Sequence, residues 1–167
     1  MDSQSSPDSI LAYNIMKTKE LDMPLHTIGF VFDELSSRRV TGHMVVTEKC
    51  TQPFKVLHGG VSALIAEGLA SIGAHVASGY NRVAGIHLDI NHHKTATFGE
   101  VIRGEAVPVS VGRTIQVWEV RLYKEAESSN GSDRSLVASS KVTLLSNMPV
   151  PDNARDAGET LRKYSKL

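Results

Sequence analysis

From residue 60 to residue 79 the chain reads GVSALIAEGLASIGAHVASG, and the reading of this stretch decides the fold. Ala, Leu and Ile fill most of it, no proline interrupts it, and Gly79 supplies a C-terminal stop, so the pattern predicts one long helix. Between Lys55 and Arg82 the only formally charged residue is Glu67. A helix that is apolar nearly all round must be buried on several sides. A membrane span explains it less well, because the stretch is rich in Gly, Ala and Ser and carries a carboxylate at its middle.

The cover for such a helix lies on both sides of it. Downstream, residues 83–92 alternate Ile86, Leu88 and Ile90 with Gly85, His87, Asp89 and Asn91, the period of a strand. Residues 101–111, 114–124 and 135–147 follow as three more strands, with Asn130-Gly131 as the turn between the last two. Upstream, Ile28-Gly29-Phe30-Val31-Phe32 marks a strand over 27–35. A polar turn at 36–39 returns the chain as a second strand over 40–47. Residues 9–21 read as a surface helix capped by Asp8 and closed by Pro24. The order predicts an α+β fold, with one antiparallel sheet of five to six strands curled around a long central helix. Its open edge and the uncovered helix start predict pairing with a second copy, as a homodimer or homotetramer. Residues 1–24 form an N-terminal segment with a short helix, 25–147 the domain, and 148–167 a polar, mobile tail.

The totals exclude several classes. At 167 residues the chain suits one domain with a real core. Its 18 basic and 18 acidic residues argue against a basic surface for nucleic acid or anionic lipid. The single cysteine, Cys50, forms no internal disulfide and suits a reducing compartment. Residues 1–8 are polar and carry no signal-peptide core, so the glycosylation acceptor Asn130-Gly131-Ser132 should be unused. The final three residues, Ser165-Lys166-Leu167, match the tripeptide read as a peroxisomal address, which predicts a peroxisomal enzyme and an import receptor as partner.

The chemistry concentrates in Gln52-Pro53-Phe54-Lys55-Val56-Leu57-His58-Gly59-Gly60, running into Glu67 and Ser71. A helix start presents unpaired N–H groups and a positive dipole end. Gly59 and Gly60 remove side chains there, so a carbonyl oxygen can approach those donors, as oxyanion stabilisation in acyl transfer requires. A carboxylate in the middle of an apolar helix costs desolvation and so needs a partner or a task. Gly60, Leu64, Glu67 and Ser71 share one helical stripe, with Glu67 about two turns from the start, roughly 10 Å along the axis. A carbonyl held at Gly59 must lean along the helix, or come from a neighbouring subunit's cleft, to meet Glu67.

Gln-Pro-Phe-x-x-x-His-Gly-Gly followed by an Ala-rich helix with Glu resembles the hotdog-fold acyl-CoA thioesterases of the 4-hydroxybenzoyl-CoA and phenylacetate-pathway type. The resemblance spans roughly residues 25–147 and includes Gly112-Arg113-Thr114-Ile115-Gln116-Val117-Trp118. It implies that Gln52 and Gly59 hold and polarise the thioester carbonyl, with His58 beside them. Glu67 is implied as nucleophile or general base, with Ser71 in support. With the C-terminal tripeptide, the run Asp89-Ile90-Asn91-His92-His93-Lys94 resembles the plant peroxisomal 1,4-dihydroxy-2-naphthoyl-CoA thioesterases that serve phylloquinone synthesis. Coenzyme A would then be part of the substrate and no cofactor would be needed. Its phosphates call for cationic and N–H donors: Arg113 and Thr114 first, then His93 and Lys94, with Gly60 at the helix start.

Other readings rank lower. His87, Asp89 and Asn91 share a strand face with His93 while His92 points the other way, and no paired-ligand spacing predicts a metal. Leu64 stands where a serine nucleophile elbow needs Gly, and nothing near Cys50 activates its thiol. A thioesterase for other aromatic or medium- to long-chain acyl groups, a hotdog hydratase or dehydratase using His58 and Glu67, and a non-catalytic acyl-CoA binding protein are the alternatives.

Overall fold

The computed structural model describes residues 6–125 and 134–166, so the turn read at Asn130-Gly131, the adjoining acceptor sequence and Leu167 lie outside the described residues. Helix α1 (Pro7–Leu21) and the short α2 (Met23–Thr27) precede a hairpin of β1 (Val31–Leu35) and β2 (Val40–Val45). A 3-10 turn at Glu48–Cys50 leads to α3 (Gly59–Ala77). Then come β3 (Arg82–His92), β4 (Val101–Val111), β5 (Ile115–Glu125) and β6 (Arg134–Met148), and finally α4 (Ala157–Tyr164). The strands form one antiparallel sheet in the order β1-β2-β4-β5-β6-β3, wrapped around α3 as the sequence predicts.

Helix α3 sits close to the sheet because its contact face is small. Ile65, Ala66, Leu69, Ala70 and Ala74 are fully buried. A Cβ on Gly73 would come within 2.5 Å of the Trp118 ring, so the bare Cα is what lets helix and indole meet. The Trp118 Nε1–H donates to Gln116 Oε1 at 2.9 Å, and Gln116 Nε2 donates to Ala74 O at 3.1 Å and Ser146 Oγ at 2.9 Å. This buried network leaves no polar atom of the pair unmatched and clamps α3 to β5 and β6.

The two edges of the sheet differ. The β1 edge is covered by α1: Thr18 Oγ1 accepts from Phe32 N–H at 2.8 Å, and the buried Lys17 ammonium donates to Asp33 O at 2.8 Å. Among the described residues β3 pairs with β6 alone, and of its residues just Val83, Ala84, Leu88 and Ile90 are even half-buried.

Three local expectations change. Ser6, not Asp8, caps α1, because Pro7 takes the first helical position and moves the start upstream. The strand predicted from residue 27 begins at Val31: Asp22 caps α2 through the Leu25 N–H, and Pro24 opens that short helix rather than closing the previous one. The tail is docked, not mobile. Leu161 is 1% exposed, and the Tyr164 hydroxyl donates to Glu20 at 2.7 Å. The Ser165 hydroxyl lies 2.9 Å from that of Tyr80, and the Lys166 N–H donates to Leu35 O at 3.0 Å.

Candidate active site

The approach to α3 is a tight loop. Lys55, at a φ of 63°, turns the chain so that its N–H donates to Gln52 O, while Gln52 N–H donates to Val56 O. The Gln52 side-chain oxygen accepts from Phe54 N–H at 2.7 Å, which leaves its amide NH2 as the group available to a ligand. His58 caps the helix, with Nδ1 accepting from Gly60 N–H at 2.9 Å. That bond places the ring proton on Nε2 and settles the roles of the two glycines. The Gly60 donor is used by the cap; the Gly59 N–H has no partner among the described residues. Gly59 thus leaves an N–H free at this helix tip, the kind of donor that a carbonyl oxygen can approach. A side chain there would meet His92, whose Nε2 lies 3.1 Å from a Cβ position on Gly59.

Glu67 stands eight residues further along α3, half-buried. Ser71 Oγ donates to its Oε1 at 3.0 Å, while Oε2 has no partner among the described residues. The carboxylate lies over β3 at Gly85, where a Cβ would sit only 2.2 Å from Oε1. The β3–β6 register shifts between Gly85 and His87, so the carboxylate rests over an irregular point of the open edge. It does not point into bulk solvent.

The predicted residues therefore fall into three places. Gln52, His58, Gly59 and Gly60 gather at the helix start; Gly59 lines a cleft of about 320 Å³ together with Ser62, His92, His93 and Lys94, while His58 and Gly60 line a separate hollow with Leu64. In that cleft His93 Nε2 lies 2.8 Å from Ser139 Oγ, and the Lys94 ammonium donates to Ser135 Oγ at 2.8 Å. Glu67 and Ser71 form the second place, roughly 12 Å along the helix from Gly59. Arg113 and Thr114 form the third, in the exposed β4–β5 turn. Asn147 ties that turn to the far end of the sheet, donating to Arg113 O and accepting from Asn81 at 3.0 Å. Within one chain the polarising N–H and the carboxylate do not reach the same atom. Among the described residues no three His, Cys, Asp or Glu side chains converge as metal ligands would.

Two residues at the site were missed by sequence reasoning. The strand alternation that counts against a metal at His92 and His93 is also what turns His92 toward the helix start. Gly85 was read as one polar position of a strand, although a strand glycine often marks a close approach, here by Glu67.

Known proteins are similar to this chain in sequence and fold. A family model for the thioesterase superfamily matches residues 54–129. A 1,4-dihydroxy-2-naphthoyl-CoA thioesterase of Arabidopsis thaliana is 57% identical over 148 residues, which is 88% of this chain and 94% of that protein. This chain belongs to the hotdog thioesterase superfamily. A 1,4-dihydroxy-2-naphthoyl-CoA hydrolase of Listeria monocytogenes is 33% identical over 116 residues, 69% of this chain and 94% of the relative. Among solved structures, AziG of S. sahachiroi superposes with a TM-score of 0.68 at 28% identity, covering 77% of this chain and 99% of its own. As a member of the superfamily the chain is a thioesterase, and the parts it shares with the family model run from the loop before α3 through β5.

Proposed function

We propose that this thioesterase hydrolyses an aromatic acyl-CoA, 1,4-dihydroxy-2-naphthoyl-CoA, to the free acid and CoA, in phylloquinone synthesis. The substrate follows from the identity to the Arabidopsis enzyme over nearly its whole length. The mechanism rests on one observation: a half-buried carboxylate at Glu67, one oxygen held by Ser71 and the other unoccupied, at the open edge of the sheet. The Gly59 N–H stabilises the negative charge that develops on the thioester oxygen, with the Gln52 amide assisting. Glu67 adds to the acyl carbon or takes the proton from an adding water; the C–S bond then breaks and the thiolate leaves to be protonated as CoA, and in the first route a water then cleaves the acyl–Glu67 anhydride to release the acid and restore the carboxylate. His58 Nδ1 is occupied in the helix cap, which argues against the hydratase alternative that needs this histidine as a base.

The site is completed by a second copy. If two β3 edges pair antiparallel about Leu88 and Asp89, Gly85 of one copy comes opposite His92 of the other. Glu67 of the first then faces the Gly59 N–H of the second, and the Arg113 turn lies beside the partner's cleft. Complementation tests this. Gly59→Pro deletes the N–H at a helix position that tolerates proline, and Gly59→Ala, which keeps the N–H, controls for the added carbon's contact with His92. Glu67→Gln deletes the carboxylate. The Gly59→Pro and Glu67→Gln homomers are each expected to lose about a thousandfold in kcat while still binding CoA ester. Refolded together they regain activity, because mixed dimers contain one intact site. If the mixture stays as inactive as its parts, the shared site is wrong.

The C-terminal Ser165 and Lys166 support peroxisomal import by a receptor that reads the last residues. Both are engaged with Tyr80 and Leu35 in the fold, so reading them requires the tail end to peel away.

A further inference from the structure

A cavity of about 410 Å³ lies between α4 and the α3–β3 turn, at the opposite end of α3 from His58. It exists because the tail is docked: Leu161 anchors α4, and the helix stands off the start of β3. Three arginines line it, Arg82, Arg155 and Arg162, against one acidic residue, Glu159. Arg155 is paired with Asp152. The other two have no carboxylate partner among the described residues: Arg82 donates to Pro149 O at 3.3 Å, and Arg162 lies 4.8 Å from the Tyr80 ring centroid. His75 in the wall donates to Tyr80 O, and burial holds it below its ordinary pKa, so the positive excess comes from the arginines. The remaining wall is largely aliphatic or glycine.

Two guanidinium forks without a carboxylate, facing one concave space, suit a phosphate. The place suits it too. Arg82 is three residues from Gly85, roughly 10 Å along β3 from the point where the Glu67 carboxylate of α3 rests. Asn81 and Asn147 bring the Arg113 turn to the same end of the sheet.

We propose that this cavity is a phosphate site that holds the phosphorylated nucleotide end of the CoA thioester while the acyl end lies at Glu67. The proposal rests on the thioesterase reading above and extends it to α4, which lies outside the residues matched by the family model. On this basis α4 makes the enzyme prefer CoA esters to shorter pantetheine esters.

The test uses the full chain and one acyl group presented on CoA and on pantetheine. Arg162→Gln is expected to raise the KM ratio of CoA ester to pantetheine ester about tenfold, the worth of one charged hydrogen bond. Ala157→Glu, which adds a carboxylate to the cavity at an exposed position, should raise it likewise, so a folding defect in one variant does not decide the matter. Lys163→Gln, whose ammonium pairs with Glu20, should leave the ratio unchanged. Calorimetry with adenosine 3′,5′-bisphosphate reads the cavity without turnover. If both cavity variants weaken that ligand but leave the KM ratio alone, the phosphate site stands and serves a separate phosphorylated ligand. If neither ratio nor binding changes, the proposal is overturned. Should no CoA ester be hydrolysed by the parent, the thioesterase reading fails, and the calorimetry still judges the cavity.

Discussion

Strands β3 and β5 are each eleven residues long and flank β6 on opposite sides. They are spent differently. In β5, Gln116, Trp118, Val120 and Leu122 alternate into the core, each at most 1% exposed. In β3 no residue is fully buried, and Ile86 is 54% exposed. One strand holds the helix; the other presents an unfinished edge on which Glu67 and His92 both lie. Stability and chemistry are thus assigned to separate strands, and the comparison can be broken from either side.

The largest effect should come from β5. Trp118→Ala removes the indole against Gly73 and leaves Gln116 short of a partner, for a loss of about 3–5 kcal/mol in denaturant unfolding. Activity per folded molecule should hardly change. A variant as stable as the parent would mean that β5 is not where the helix is anchored. On β3 the pattern should reverse. Gly85→Ala forces the Glu67 carboxylate to move, because the new methyl would lie 2.2 Å from Oε1. A displacement of that size is expected to cost about a hundredfold in kcat. The melting temperature should stay close to the parent's, since Gly85 is exposed. Full turnover in Gly85→Ala would remove Glu67 from its assigned place.

The smallest effect sharpens the picture at the helix end away from the site. Burial lowers the folded pKa of His75 from its ordinary value of 6.5. The unfolded chain therefore binds a proton at a pH where the native state does not. The stability this contributes is present above 6.5 and is lost as pH falls through the lower, folded value. The parent should lose thermal stability as the pH falls below the ordinary histidine value, and His75→Gln should flatten that slope. An equally steep slope in the variant assigns the loss to other groups.

Much of this was legible along the chain. The strand periods and the uninterrupted apolar helix predicted the sheet and its contents, because those signals are local and repeat several times. The lone charge in α3 named Glu67, and the Gly-Gly step named the helix start. Where local signals competed, the reading slipped: Pro24 can end one helix or open another, and only the Asp22 cap to Leu25 decides. The tail read as mobile because its sequence is polar; Leu161 alone carries the anchor, and one leucine is too weak a pattern to recognise.

Read by itself, the chain determined the residue types that the chemistry needs and the order of the elements that carry them. Tertiary structure alone decided which glycine N–H is left for a substrate, since the His58 ring had to be seen capping Gly60. It also decided that the carboxylate lies over Gly85, on a strand that has no second neighbour among the described residues. The physical reason is distance: side-chain partners far apart in sequence, such as Glu67 with Gly85 and Gly59 with His92, meet only when the sheet closes on the helix.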